Sequence, residues 1–260
     1  MKVSVITVCL NAENLIEETI QSVISQSFTN VEYLVIDGNS SDKTVTIINK
    51  YTDNIDYFIS ERDSGIYNAM NKGILAATGE FIYFLNAGDL FYNKTVIENF
   101  ICQYAALKGD FFYGNVLLRK QGNEGSFFKD HHDIDKSFFL NNVICQQAIF
   151  YKSSFFTPGK CGLFDERLRV AADYEWLLRA LFKYKLMPRF IDMPVAVYPL
   201  GGLSDDKKMA HIIQEERQQA LSNYFNDFEI MIICHKWFKG IYKVKLFKII
   251  IRKIMDWNLS

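Results

Sequence analysis

The chain has 260 residues, 49% of them hydrophobic and 15% aromatic, with a formal net charge of -1. This composition supports a sizeable core and excludes global disorder, and the near-neutral charge gives no whole-chain case for binding nucleic acid. The five cysteines, Cys9, Cys102, Cys145, Cys161 and Cys234, form no CxxC pair, which argues against a zinc site or a disulfide scaffold and suits a reducing compartment.

The first apolar run is too short for a signal peptide and ends at Asn11 and Glu13. No window reaches the roughly 18 apolar residues of a membrane span. Residues 3–9, "VSVITVC", read as a buried strand. Leu15, Ile16, Ile20, Val23 and Ile24 then recur at helical spacing. Residues 31–36 make a second strand, stopped by "DGNSSDKT", and a helix over about 44–50 follows. Next come a short strand at 56–60, a helix through "GIYNAMNKGILAA" and a strand at 80–85. Later strands are expected at 110–118 and 190–198, with a helix over 171–184. Strands alternating with helices predict an α/β fold with a mostly parallel sheet.

Such sheets bind ligands in the crevice beyond the carboxyl ends of their strands. Here the first strand ends in Asn11, the second in Asp37 to Asp42 and the fourth in Asn86 to Asp89. Short polar and acidic groups at three strand ends predict one site, although each loop alone is also ordinary turn chemistry. The "CLNAEN" after the first strand lacks the glycines of a dinucleotide fingerprint, and no P-loop occurs anywhere. Carboxylates instead suit hydrogen bonding to a base or sugar, or a hard cation that carries a diphosphate.

The stretches "VSVITVCLNAENLIEETIQSVISQSFTNVEYLVIDGNSSDKT", "ISERDSGIYNAMNKGILAATGEFIYFLNAGD" and "GLFDERLRVAADYEWLLRA" resemble family 2 glycosyltransferases. The resemblance covers roughly residues 1–200. It implies the nucleotide-diphospho-sugar transferase fold called GT-A, and inverting transfer. The likeness is greatest to bacterial members that build capsule, O-antigen or exopolysaccharide repeats.

The resemblance assigns Asn11 and Asp37 to the nucleotide, with Gly38 standing where many relatives carry a second aspartate that reads uracil. Asp63 is placed beside the nucleotide and donor sugar, and Asn71 at a position that shapes the site. Asp42 and Thr44 also match, but read first as a helix cap. The metal signature of relatives, often Asp-x-Asp-Asp, reads Asn86-Ala87-Gly88-Asp89 here. Asp89 is the expected ligand of Mg²⁺ or Mn²⁺, with Asn86 as a neutral helper. Asp173 matches the base of relatives and lies in the first turn of its helix, with Asp165 and Glu175 as alternatives. Gln146 and Gln147 are expected to meet acceptor hydroxyls, and Trp176 either stacks on a sugar or belongs to the core. Ser204, in "GGLS", is either close to the donor diphosphate or part of a plain turn.

Residues 235–260 carry seven basic residues against one acidic, a net +6, interleaved with aromatic and aliphatic groups. This predicts a basic amphipathic helix, either lying on an anionic membrane surface or packed against the catalytic body. The expected organisation is a catalytic domain over 1–204 and a helical extension over 205–260. The expected activity is transfer of a sugar from a nucleoside-diphosphate donor, such as a UDP-hexose, to a polyprenyl-diphosphate-linked glycan at the inner face of the cell membrane. The rival readings are a non-catalytic sugar-nucleotide-binding protein and a nucleotidyltransferase. The second is disfavoured because "CLNAENLIEE" lacks a glycine- and arginine-rich loop.

Overall fold

The computed structural model describes residues 1–119, 126–129, 134, 138–200 and 207–226. In chain order the elements are β1 (Val3–Cys9), α1 (Ile16–Ile24), β2 (Val31–Asp37), α2 (Thr44–Ile48), β3 (Tyr57–Ser60), α3 (Ile66–Ala76), β4 (Phe81–Phe84), β5 (Leu90–Phe91) and α4 (Val96–Tyr104). They continue with β6 (Phe111–Arg119), β7 (Ser126–Lys129), α5 (Phe138–Asn141), β8 (Ile149–Lys152), α6 (Ala172–Leu178), β9 (Pro188–Pro199) and α7 (Ala210–Ser222). The chain divides into two compact units, one of residues 1–132 and 143–224, the other of 133–142 and 225–260. Within the second unit, the described residues include the single helical turn α5.

The first unit holds a nine-stranded sheet in the order β3-β2-β1-β4-β8-β6-β9-β5, with β7 paired to β6. Strands β1 to β4 run parallel, as their near-continuous apolar runs require when helices cover both faces. The sheet then turns mixed. β8 is antiparallel to β4 and β6, β9 is parallel to β6, and β5 is antiparallel to β9. The expected strand at 190–198 and helix at 171–184 are present, the latter as α6 followed by a π-helical turn, Arg179–Lys183.

Every residue of β1 is buried, and α1 lays Ile16, Thr19, Ile20 and Val23 onto the sheet. One face of the core is aromatic, with the Phe100 and Phe150 rings stacked at 3.9 Å and Phe81, Phe112 and Tyr83 around them. Helix α3 approaches β1 closely because Gly73 has no side chain. A Cβ there would stand 2.5 Å from Ile6 Cγ2.

Helix α7 belongs to the same compact unit as the sheet, although the sequence assigns it to an extension starting at 205. The loop holding Ser204 (201–206) and the basic tail (229–260) lie outside the described residues. Among the described residues, no helix is long and apolar enough to cross a membrane.

Candidate active site

Parallel register puts Cys9 level with Asp37, and Ala87 N–H donates to Val8 O, so the ends of β1, β2 and β4 are neighbours at one edge of the sheet. The polar residues at that edge form two groups.

The first group lies beyond β1, β2 and β3. Asn11 takes the left-handed backbone region at φ 49°, which asparagine tolerates better than most residues. Its N–H donates to Ser40 Oγ at 2.8 Å, and its side-chain oxygen accepts from Ser41 N–H at 2.9 Å. Asp37 is fully buried. Its carboxylate accepts from Ser40 N–H at 2.9 Å, from Ser60 Oγ at 2.6 Å and from the Ser40 hydroxyl. It therefore holds the loop in place with its own acceptor capacity. A side chain at Gly38 would meet Asp63 Oδ2 at 2.5 Å and Leu10 Cδ1 at 3.4 Å. The Asp63 carboxylate thus stands where a second aspartate would project. It also accepts from Gly65 N–H at 3.1 Å, in a turn that needs glycine at φ 139°. Asp42 accepts from the N–H groups of Thr44 and Glu13, at 2.9 and 3.1 Å, which is the capping role.

The second group surrounds a cavity of about 350 Å³ whose wall includes Tyr67, Asn86, Gln146, Gln147, Asp173 and Arg217. Asp173, in the first turn of α6, accepts from the Tyr67 hydroxyl at 2.9 Å. Burial pushes its pKa above the ordinary carboxylate value, while the Tyr67 hydroxyl, a backbone N–H and the Arg217 charge pull it back. The alternatives are occupied elsewhere and lie outside this wall: Asp165 pairs with Arg167 at 2.7 Å, and Glu175 with Arg179 at 3.0 Å.

The Asn86–Asp89 turn is pinned by Thr19, whose hydroxyl accepts from Gly88 N–H at 2.9 Å and donates to Asp89 O at 3.0 Å. Gly88 has φ 101°, a conformation costly for any side-chain-bearing residue. An aspartate here would be strained, which gives a physical reason for the altered signature. Asp89 is buried, and Gln147 Nε2 donates to its Oδ2 at 2.8 Å. Burial drives the Asp89 carboxyl up to about 7 despite that hydrogen bond. Asn86 Oδ1 is buried with no hydrogen-bond partner, an uncompensated cost that a ligand would relieve. Among the described residues, no three His, Cys, Asp or Glu side chains gather as a metal site. One amide oxygen and one carboxylate nevertheless fit a hard cation that completes its shell with diphosphate and water.

Gln146 and Gln147 form the 3-10 turn before β8 and line the cavity, but both amides already have partners. Gln146 Nε2 approaches Met70 Sδ at 3.5 Å, and Gln147 is bound to Asp89. The surroundings of Asn71 and Trp176 are internal to the protein. Asn71 is buried and fully committed: its amide nitrogen donates to Phe164 O and Glu166 Oε1, at 3.0 and 2.8 Å, and its oxygen accepts from Phe164 N–H at 3.0 Å. It positions the loop ahead of α6 with that amide. Trp176 is fully buried, donates to Gly162 O at 2.8 Å, and stacks on Phe156 at 5.0 Å. The core reading holds for Trp176 because its place on α6 turns the ring away from the cavity.

Three contributors were not foreseen. Tyr67 holds Asp173. Arg217 brings a positive charge into the wall. Glu216, buried on α7, accepts from the N–H groups of Arg169, Val170 and Ala171 at 2.7, 3.0 and 3.0 Å, fixing the approach to α6. Tyr67 was within reach, since it sits inside the quoted "GIYNAMNKG". The run "QEERQQ" gives no sign that one of its acids is buried.

The profile of Glycosyl transferase family 2 matches residues 4–169, and the chain belongs to this family. A PGL/p-HBAD biosynthesis glycosyltransferase of Mycobacterium tuberculosis is 29% identical over 266 residues, covering 98% of this chain and 96% of that protein. Residues 1–349 of S. aureus TarS, solved in complex with UDP-GlcNAc, superpose with a TM-score of 0.62 at 19% identity, covering 87% of this chain and 72% of that one. The chain spans 43% of a longer TarS structure. The Pyrobaculum calidifontis mannosyltransferase PcManGT, in complex with GDP-Man and Mn²⁺, superposes with a TM-score of 0.62 at 16% identity, covering 85% of this chain and 63% of that one. These structural likenesses show the fold, which is GT-A. The protein is a glycosyltransferase.

Proposed function

We propose that this glycosyltransferase inverts configuration in a single displacement, with Asp173 as the base. An acceptor hydroxyl gives its proton to the Asp173 carboxylate as its oxygen attacks the anomeric carbon. The bond from that carbon to the diphosphate breaks on the opposite face, releasing nucleoside diphosphate. The Tyr67 hydroxyl, donating to Asp173 Oδ1 at 2.9 Å, fixes the carboxylate and favours its ionised form. The observation that carries this reading is Asp173 and Asn86 in the wall of one cavity.

The donor is a nucleoside-diphosphate sugar, and a UDP-hexose is the reading favoured here. Its base lies over Gly38, with Leu10 as an apolar wall and Asp63 accepting its N–H. Asn11 and Asp37 shape this part of the site, and Ser204 serves the diphosphate. Asn86 Oδ1 and the Asp89 carboxylate would hold Mg²⁺ or Mn²⁺, which when bound supplies positive charge against the departing diphosphate. Gln146 and Gln147 form the acceptor side. The acceptor is a polyprenyl-diphosphate-linked glycan of a cell-surface polysaccharide, such as capsule or O-antigen. The basic segment within 205–260 holds the enzyme as a peripheral protein on the cytoplasmic face of an anionic membrane, with a net +6 over residues 235–260.

Purified protein given a panel of UDP- and GDP-sugars and a synthetic polyprenyl-diphosphate glycan, with and without EDTA, tests this reading. The expected result is transfer from one donor, with the product's anomeric configuration by NMR opposite to the donor's. A product of retained configuration refutes single displacement.

A further inference from the structure

We infer that Arg217 is a positioning residue that holds the Asp173 carboxylate in its ionised, proton-accepting form. The inference rests on Asp173 being the base, as proposed above. Among the described residues that line the cavity, Arg217 is the one cation and Asp173 the one carboxylate. Arg217 stands on α7, 44 positions downstream in the chain, yet it is bolted to the base helix from two sides. Its guanidinium lies over the ring of Tyr174, the residue next to Asp173, at 5.3 Å. Its neighbour Glu216 accepts the three N–H groups of Arg169, Val170 and Ala171, just before α6 begins. The arginine's position relative to Asp173 is therefore set by the fold and not by a flexible reach from the surface.

Arg217 Nε is also buried with no hydrogen-bond partner. A guanidinium nitrogen left unpaired is costly, and the nearby carboxylate supplies a field that offsets the cost. Among the described residues, three titratable groups from other elements face Asp173. Tyr67 from α3 donates a hydrogen bond, Tyr151 from β8 is a buried phenol within its field, and Arg217 from α7 brings the positive charge. Neither phenol offers a full charge. Burial alone drives Asp173 toward the protonated acid, which cannot take a proton from the acceptor. Arg217 opposes this through its charge.

The test compares Arg217→Met, Arg217→Lys and Asp173→Asn with the unaltered full chain, reading kcat/KM from pH 5.5 to 9 and nucleoside-diphosphate affinity by titration calorimetry. Arg217→Met should lose about tenfold more activity at pH 6 than at pH 9, because without the charge the base ionises only at higher pH. Arg217→Lys should recover most of that difference, and diphosphate affinity should stay within about twofold. A loss equal at every pH in Arg217→Met, folded by circular dichroism, overturns the inference. So does a loss confined to diphosphate affinity, which would make Arg217 a donor-binding group. Should Arg217→Met not fold, Arg217→Lys must keep the parental pH profile, and an acid limb moved upward there also counts against it. Near-normal turnover by Asp173→Asn would strike the base assignment itself, and an unmoved acid limb beside an inactive Asp173→Asn would strike only the role of Arg217.

Discussion

Glu32 and Asp89 are buried acids at opposite ends of the same parallel strands, and they are treated in opposite ways. Glu32, near the amino ends of β1 and β2, takes hydrogen bonds from Lys2 Nζ at 2.7 Å, Thr78 N–H at 2.8 Å, and the Thr78 and Ser4 hydroxyls. Burial pushes its pKa up, yet these donors together hold it down at about 2. Asp89, past the carboxyl end of β4, has one side-chain donor, Gln147, and burial wins, leaving it at about 7. Its turn-mate Asn86 carries an oxygen with no partner at all. One end of the sheet satisfies its charge internally and serves stability. The other withholds partners, and that deficit is the physical signature of a place where something else binds.

The largest expected effect falls on the deficient end. Asp173→Asn should lower the transfer rate by about two to four orders of magnitude while leaving donor affinity nearly intact. Full activity in that variant would remove Asp173 from the mechanism and leave the cavity at this end without its base. Asn86→Ala and Asp89→Asn should each cost about ten- to a hundredfold, and EDTA a similar factor, if the two oxygens hold a cation. A rate indifferent to EDTA, measured alongside both variants, would remove the metal from the scheme.

Tyr67→Phe should cost roughly tenfold, the value of one hydrogen bond to a charged group. The loss should be larger at low pH, because the phenol favours the ionised form of Asp173. A pH–rate profile distinguishes this from general damage.

The smallest effects are in stability, and they should have opposite signs at the two ends. Glu32 has a lowered pKa in the folded state, so its contribution is present above its ordinary value of 4.5 and fades as pH falls toward 2. Asp89 has a raised one, so its favourable contribution is present below its ordinary value of 3.8 and is lost as pH rises through about 7. In EDTA at pH 8, Glu32→Gln should melt a few degrees below the parent and Asp89→Asn a few degrees above it. Both differences should shrink toward zero in acid, Asp89→Asn near pH 4 and Glu32→Gln near pH 2. Melts that move in the same direction would show that the two ends do not differ as described.

The parallel half was legible because its strands are apolar runs that stop abruptly at polar residues. "FIYFLNAGD" reveals both β4 and the turn that follows it. The antiparallel part was harder to read. β5 is only two residues long, and α7 buries only Glu216, Ala220 and Leu221 of its thirteen, so its sequence reads as a solvated helix. The resemblance singled out Asp173 and Asn86, far apart in the chain, and the structure brings both to the wall of one cavity. How a residue shapes the site was not legible where one chemical type can serve two ends. Asn71 has the amide a sugar site would use, but it spends that amide on Phe164, 93 positions along the chain. No local pattern records that pairing. Helical spacing could place Trp176 near Asp173, but it could not say which neighbour the indole would meet.

The clamp formed by Glu216 has a consequence for the order in which the protein is made. The chain leaves the ribosome amino end first, so β1 to β4, the Asn86–Asp89 turn and Asp173 all emerge before α7. Until residue 216 appears, the N–H groups of Arg169, Val170 and Ala171 lack the acceptor that fixes the entry to α6. Activity should therefore appear late in synthesis. A product cut short after residue 204 keeps the sheet sequence and every residue of the expected chemistry up to that point, yet lacks the clamp that holds the base helix in place.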